Sequence, residues 1–271
     1  MSRQTSARQA KRRYDDACGA AHALDLVGDR WSLLVVRELM FGPKRFGEIR
    51  SSLPGISAKV LTERLEDLQA ASILIRRRLP PPASAWVYEL TEWGYKSEPV
   101  FQALGTWAAQ SPTHDPSLPI SAASLMLSFR TMIDPARAEG VNATIGFRFG
   151  EESFTARLGG GGITIVRAEA AAPDLVLSGD STALAAAVYG AVPFEALPIE
   201  LEGDRALADR FATLFPLPPK AGVTAAAGRA AAEVQRDGTE APAKGSAGGA
   251  DGGATAGAAG GGGAKAGSDV P

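Results

Sequence analysis

The stretch "RFGEIRSSLPGISAKVLTERLEDL", residues 45–68, decides how the first half of this chain is read. Apolar residues recur at Phe46, Ile49 and Leu53, Pro54-Gly55 interrupts, and the spacing resumes at Val60, Leu61, Leu65 and Leu68. Spacings of three and four place side chains on one face of a helix, so the segment predicts a short helix, a sharp turn and a second helix. Gly55 permits a left-handed backbone at the turn. Ser57 stands where an N-cap belongs, its hydroxyl placed to accept from a free N–H of the next helical turn. The second helix then turns Lys59, Thr62 and Glu63 away from its apolar stripe.

Working outward, residues 16–27 carry apolar spacing at Ala20, Ala23, Leu24 and Val27 and close on Gly28. The run "DRWSLLVVRELMFG" (29–42) is denser in apolar residues and ends at Gly42-Pro43; both segments predict helices, the second largely buried. Downstream, "ILIRRRLP" and "AWVYELT" are rich in β-branched and aromatic residues, and the prolines between them can continue neither helix nor central strand. They predict a β-hairpin with an exposed tip, its first strand carrying Arg76 and Arg78 on one face and Arg77 on the other. Residues 92–109 return to helix, with Val100, Leu104 and Trp107 on one stripe and Pro99 either kinking or dividing it.

Helix, helix, helix-turn-helix, hairpin, helix is the order of a winged helix domain. Such a unit suits double-stranded DNA dimensionally: one helix fits the major groove, where base edges are distinguishable, and the flanking elements rest on phosphates. The base-reading candidates are Ser57, Ala58, Lys59, Thr62 and Glu63, at the start of the second helix and off its stripe. The phosphate candidates are Lys44, Arg45, Arg50, Arg64, Arg76, Arg77 and Arg78, with Arg8, Lys11, Arg12 and Arg13 forming an N-terminal arm.

Composition supports division of the 271 residues into modules. Residues 1–115 hold 16 Lys/Arg against 13 Asp/Glu, and the remainder 12 against 17, so a mildly basic front precedes an acidic back. One cysteine and two histidines exclude a disulfide framework and argue against a metal cluster. No apolar run approaches the roughly 20 residues of a membrane span, and "MSRQTSARQAKRRYDD" has no apolar signal core. The expectation is a cytoplasmic protein without a membrane partner or cofactor.

Residues 12–109 resemble the HxlR family of winged helix-turn-helix transcriptional regulators. The resemblance rests on Gly28-Asp29-Arg30-Trp31, Arg45-Phe46-Gly47-Glu48-Ile49, Gly55-Ile56-Ser57 and Leu90-Thr91 with Gly94, all in order and spacing. It implies a homodimer whose terminal helices pack across a two-fold axis, with Val100, Leu104 and Trp107 as the dimer stripe, reading a roughly palindromic operator. Two positions depart from the family pattern. Cys18-Gly19 stands where Cys-Pro is usual, and the wing tip "PPPASAW" lacks a basic residue, which argues against direct contact there. Some members of that family use the equivalent cysteine as a redox sensor. Cys18 is therefore either such a thiol, opposed by Asp15 and Asp16 and favoured by Arg12 and Arg13, or a small apolar residue in a dimer helix.

Beyond the Pro/Ser-rich segment 111–119 the pattern changes. "SLMLSFRTMI" predicts a helix, and "VNATIGFRF", "SFTARL", "ITIVRA" and "DLVLSG" predict strands. Gly159–Gly162 joins strand to strand and so makes a hairpin turn; a phosphate loop would need a following helix. "DSTALAAAVYG", capped by Asp180 or Ser181, and "DRALADRFATLF", with Leu207, Phe211 and Leu214 aligned, predict helices around the strand "IELEGD". This order, with Leu201-Glu202-Gly203-Asp204, resembles the sterol-carrier-protein-like α/β (α+β) domain, which implies an apolar cavity for a lipid-like ligand between sheet and helices. No catalytic constellation accompanies it, so an enzyme is not expected.

The resulting organisation is a basic arm (1–13), a winged helix-turn-helix domain (14–110), a linker (111–119), a sterol-carrier-protein-like domain (120–218) and a disordered Gly/Ala-rich tail (219–271). The expected function is a sequence-specific DNA-binding regulator acting as a homodimer, with a hydrophobic small molecule as candidate effector. The alternative is a lipid or acyl-group carrier that keeps the winged helix only to dimerise.

Overall fold

A computed structural model describes residues 14–222. The basic arm expected at 1–13 and the tail from 223 onward lie outside the described residues. Residues 219–222, expected as the beginning of that tail, are tied back to the folded chain. Lys220 Nζ donates to the carbonyls of Ala109 (3.1 Å) and His114 (3.0 Å), and the Ala221 N–H donates to Gln110 (2.7 Å).

The first half follows the expected order: α1 (Gly19–Val27), α2 (Ser32–Glu38), α3 (Phe46–Ser51), α4 (Ala58–Ala70), β1 (Leu74–Arg78), β2 (Trp86–Leu90), α5 (Glu92–Tyr95) and α6 (Glu98–Ala109). Val35, Val36 and Leu39 meet Ile49, Leu61, Leu65 and Leu68 in a core that excludes water almost completely. Burying each of these side chains stabilises by about 1.5–3 kcal/mol. Pro99 sits in the first turn of α6, where the missing N–H breaks no helical bond, so it divides the 92–109 segment instead of kinking it. The wing is an antiparallel pair running from Leu74 opposite Leu90 to Arg78 opposite Trp86.

The second half comprises α7 (Ala122–Met132), α8 (Pro135–Ala138), β3 (Ala143–Phe149), β4 (Glu152–Gly159), β5 (Gly162–Val166), β6 (Leu175–Gly179), α9 (Ser181–Gly190), β7 (Ile199–Gly203) and α10 (Arg205–Ala212). Its five-stranded sheet has the order β5-β4-β3-β6-β7, with β3 and β6 parallel and all other pairs antiparallel. Gly160 (φ 59°) and Gly161 (φ 75°) turn β4 into β5 with two consecutive left-handed residues, the conformation a two-residue hairpin loop requires. Asp180, not Ser181, caps α9, its carboxylate accepting from the N–H groups of Thr182 and Ala183. The Ser181 hydroxyl donates instead to the Ile120 carbonyl at 2.6 Å.

Alternation along β3 points Ile145 and Phe147 inward, where five phenylalanines fill the space between the sheet and its helices. Phe129 of α7 stacks on Phe215 (4.6 Å) and meets Phe211 edge-on (5.2 Å), while Phe147 meets both Phe129 (6.0 Å) and Phe211 (5.7 Å). Phe154 of β4 completes the set and takes the edge of Phe41, the residue that follows α2 and its turn, at 5.5 Å. The buried core therefore runs without a break from the winged helix into the sheet. Among the described residues no helix is long and apolar enough to cross a membrane.

Candidate nucleic-acid interface

The helix-turn-helix forms for local reasons. Gly55 takes φ +90°, which turns the chain sharply between α3 and α4. The Ser57 hydroxyl accepts from the Val60 N–H at 3.2 Å and caps α4. At the preceding helix the Glu48 carboxylate accepts from the Arg45 N–H at 2.5 Å. With Leu61, Leu65 and Leu68 holding α4 on the core, Ser57, Ala58, Lys59 and Thr62 are exposed together at its N-terminal end, and Glu63 is half-buried beside them. The Thr62 hydroxyl donates to the Ala58 carbonyl at 2.9 Å, which leaves its oxygen lone pairs and methyl group unengaged.

The basic candidates separate into two populations. Arg45 and Arg50 flank α3 and are exposed, and among the described residues neither has a carboxylate partner. On the wing, Arg76 lies over the rings of Trp86 (4.7 Å) and Tyr88 (5.9 Å), and Arg78 donates to the Ser84 carbonyl; both stay exposed. A reciprocal backbone pair, Lys44 N–H to Tyr88 O (3.0 Å) and Tyr88 N–H to Lys44 O (2.9 Å), places the start of α3 beside the wing.

Three expected phosphate contacts are differently engaged. Lys44 is 1% exposed, its ammonium between Glu38 (3.2 Å) and Glu152 (3.0 Å), so it cannot reach a phosphate without breaking a buried ion pair. Arg64 is held by Asp29, Asp67 (3.3 Å) and Glu63, and it fixes α4 against the loop before α2. Arg77 is bonded across the wing to Glu89, which raises the guanidinium pKa and leaves a neutral pair. Glu38 and Glu152, Asp29 and Glu89 all lie on other elements, so local sequence carries no sign of them; only Asp67, three residues on in α4, was a neighbour that helical spacing could have paired with Arg64.

Around Lys44 lies a polar cluster that pattern reading missed. The fully buried Glu38 accepts from Arg37 (3.0 and 3.3 Å), from Lys44, and from the Ser121 hydroxyl at 2.7 Å. Glu152 pairs with both Lys44 and Arg167 (3.1 Å), and Arg167 also donates to the Pro43 carbonyl at 3.0 Å. Arg130 adds a second tie, pairing with Glu98 at 2.9 Å and lying over the Phe41 ring at 4.5 Å. These contacts fix the winged helix to the sheet through the buried Glu38–Lys44 pair and the partly buried charges around it.

Two further surfaces bear on assembly and chemistry. None of the nine residues of α1 is buried within the chain, and Leu24 is more than half exposed. On α6, Val100 (49%), Leu104 (42%) and Trp107 (73%) are also open to solvent. Cys18 is exposed at the N-cap of α1. The backbone N–H groups of Ala21 and Ala20 hold its thiol below the ordinary pKa by favouring the thiolate. Among the described residues no group of three or more His, Cys, Asp or Glu side chains is placed to hold a metal ion.

The first half of the chain is similar to known proteins. The family model for HxlR-like helix-turn-helix proteins matches residues 26–115. The HTH-type transcriptional regulator YodB of Bacillus subtilis is 44% identical over 88 residues, covering 32% of this chain and 79% of that protein. The uncharacterized HTH-type transcriptional regulator sll1512 of Synechocystis is 39% identical over 87 residues, covering 32% of this chain and 64% of that protein. Among solved structures, the reduced form of YodB from B. subtilis aligns at 40% identity over 37% of this chain and all of that chain, with a TM-score of 0.34.

Proposed function

The chain belongs to the HxlR-like helix-turn-helix family and is a DNA-binding transcriptional regulator, and we propose that it reads a pseudo-palindromic operator as a homodimer. In this reading α4 enters the major groove, and Ser57, Ala58, Lys59, Thr62 and Glu63 face the base edges. Arg45, Arg50, Arg76 and Arg78 contact the phosphates on either side. The carrier alternative is not favoured by that family membership.

The observation that carries the proposal is the division of α4. Its Leu61, Leu65 and Leu68 stripe is buried, whereas Ser57, Ala58, Lys59 and Thr62 are uncovered at the helix start, the end that a recognition helix presents to bases. The dimer is supported by α1, which buries none of its own residues, and by the exposed stripe on α6. Large apolar side chains grouped on two terminal helices are what a second copy would cover. Selection of bound sequences from random DNA, followed by titration against competitor DNA at rising salt, tests the function. Sequence preference with a two-fold symmetric site, and affinity falling steeply with salt, is the expected result; binding with no preferred sequence refutes it.

For residues 120–218 we keep the sterol-carrier-protein-like assignment. Its support is the five-stranded mixed sheet covered by α7, α9 and α10, with Leu201-Glu202-Gly203-Asp204 leading into α10. The packed phenylalanines leave the space between sheet and α7 an unsuitable place for a lipid, so any ligand belongs elsewhere in this region. For Cys18 the sensing role is favoured by its exposure and its lowered pKa. An oxidant that modifies this thiol would act on α1 at the expected dimer surface.

A further inference from the structure

A crevice of about 560 Å³ opens where α2 and α6 of the winged helix meet α7 and α9. Leu33, Leu34, Phe101, Leu118, Leu127 and Met132 make it apolar, and its size falls within the range of about 300–1,000 Å³ typical of small-molecule sites. Most polar groups on its walls are already satisfied. The Ser128 and Tyr189 hydroxyls bond each other at 2.5 Å, and burial holds the Tyr189 phenol well above its ordinary pKa, so it stays neutral. Asp115 lines the 114–120 wall as a carboxylate, held by the Ser117 N–H and hydroxyl, which also lower its pKa, so the acid end of a ligand is directed away from it towards the α2 side. His114 lines the same wall.

Arg37 differs. It lines the crevice, and its Nε and Nη2 donate to Glu38 while Nη1 has no protein partner among the described residues. The cluster behind it holds three cations, Arg37, Lys44 and Arg167, against two carboxylates, Glu38 and Glu152. A partly buried cluster with one surplus positive charge, whose Arg37 lines the crevice and keeps one guanidinium nitrogen without a protein partner among the described residues, favours an anion at that point. A charge of one attached to an apolar body satisfies both features.

We propose that the crevice binds an amphipathic monocarboxylic acid, with its carboxylate on Arg37 and an acyl or arylalkyl body of roughly ten carbons along the apolar wall. The site draws one wall from α2 and α6 and another from α7 and α9, so occupancy bears on the angle between the winged helix and the sheet. Through Leu104, which lines the crevice and belongs to the exposed stripe of α6, it also bears on the dimer. This regulatory consequence rests on the reading of α6 as the dimer helix; the binding site itself does not.

The test uses the full chain, with decanoate and decanol as probes in isothermal titration calorimetry and near-ultraviolet circular dichroism as the folding control. Decanoate should bind once per chain and more tightly than decanol. Arg37→Met keeps the apolar stem and leaves Glu38 bonded to Lys44 and Ser121; it should weaken decanoate by about tenfold, the worth of one charge-assisted hydrogen bond, and leave decanol unchanged. Gly105→Leu, at a position where an added Cβ meets nothing within 4 Å, should fill the crevice and abolish binding of both probes. Equal binding of decanoate to all three proteins, or no binding to the wild type, overturns the site. So does binding that appears only when Trp107→Ala opens the dimer, because a second copy then covers the crevice. Operator affinity measured with and without decanoate reads the coupling separately: a site that binds decanoate with operator affinity unchanged refutes the regulatory consequence alone.

Discussion

The exposed face of α4 and the seam behind α2 use the same residue types to opposite ends. On α4, Lys59 stands in solvent on a helix whose other side is leucine. Fifteen residues earlier Lys44 is one of the largest fully buried side chains of the protein, held between two carboxylates from different halves of the chain. A lysine ready for DNA must keep its charge unpaired and hydrated until phosphates or bases replace water. A lysine in the seam has surrendered its hydration and is tolerated only because Glu38 and Glu152 surround it. Basic residues near a helix-turn-helix therefore mark two distinct roles, and burial separates them.

The comparison fails most visibly if Lys44 is dispensable. Lys44→Ala leaves Glu38 and Glu152 with one cation fewer in a buried site, and should destabilise the protein by about 3–5 kcal/mol. Urea denaturation is the measurement; a change within about 0.5 kcal/mol, the range of an ordinary surface substitution, would place Lys44 in solvent. Next in size is Trp107→Ala. An exposed tryptophan at the end of an apolar stripe is the kind of residue that carries association, and its loss should weaken the dimer by about 2 kcal/mol or more while sparing the monomer fold. Sedimentation across a concentration series reads this directly, and an unaltered dimer would move the interface off α6.

Lys59→Ala is the counterpart of Lys44→Ala and should invert its pattern. Stability should change by less than about 0.5 kcal/mol, whereas affinity for the selected operator should fall by about 1–3 kcal/mol if Lys59 reads a base. Fluorescence polarisation at several salt concentrations separates base reading from a phosphate contact, which would instead reduce the salt slope by about one. The smallest effect concerns Cys18. Its thiol pKa is lowered in the folded chain, so iodoacetamide alkylation should rise with pH at a midpoint below the usual thiol value of about 8.5. A group with a depressed folded pKa contributes stability that is present above its unfolded value and lost as pH falls through the folded one. Urea should shift the alkylation midpoint upward, and an unshifted midpoint would remove the helix N-terminus as its cause.

What the amino-acid sequence determined unaided is whatever a few neighbouring residues decide. The period of Leu61, Leu65 and Leu68 placed α4 and its uncovered face, Gly55 and Ser57 placed its start, and a strand after Gly159–Gly162 ruled out a phosphate loop. The pattern of "VNATIGFRF" found the strand that became β3. Each depends on backbone conformation or on side chains within about one turn, where order along the chain and order in space coincide. Tertiary structure alone decided which charges remained free. Glu38 meets Ser121 across 83 positions, and Arg167 reaches Pro43 across 124. It also moved the apolar crevice from beneath the sheet, where phenylalanines fill the space, to the seam with the winged helix. Pairing of charges and placement of voids depend on which distant surfaces meet after the chain has packed; the local pattern of Lys44 is that of any basic residue before a helix, and only burial turned it inward.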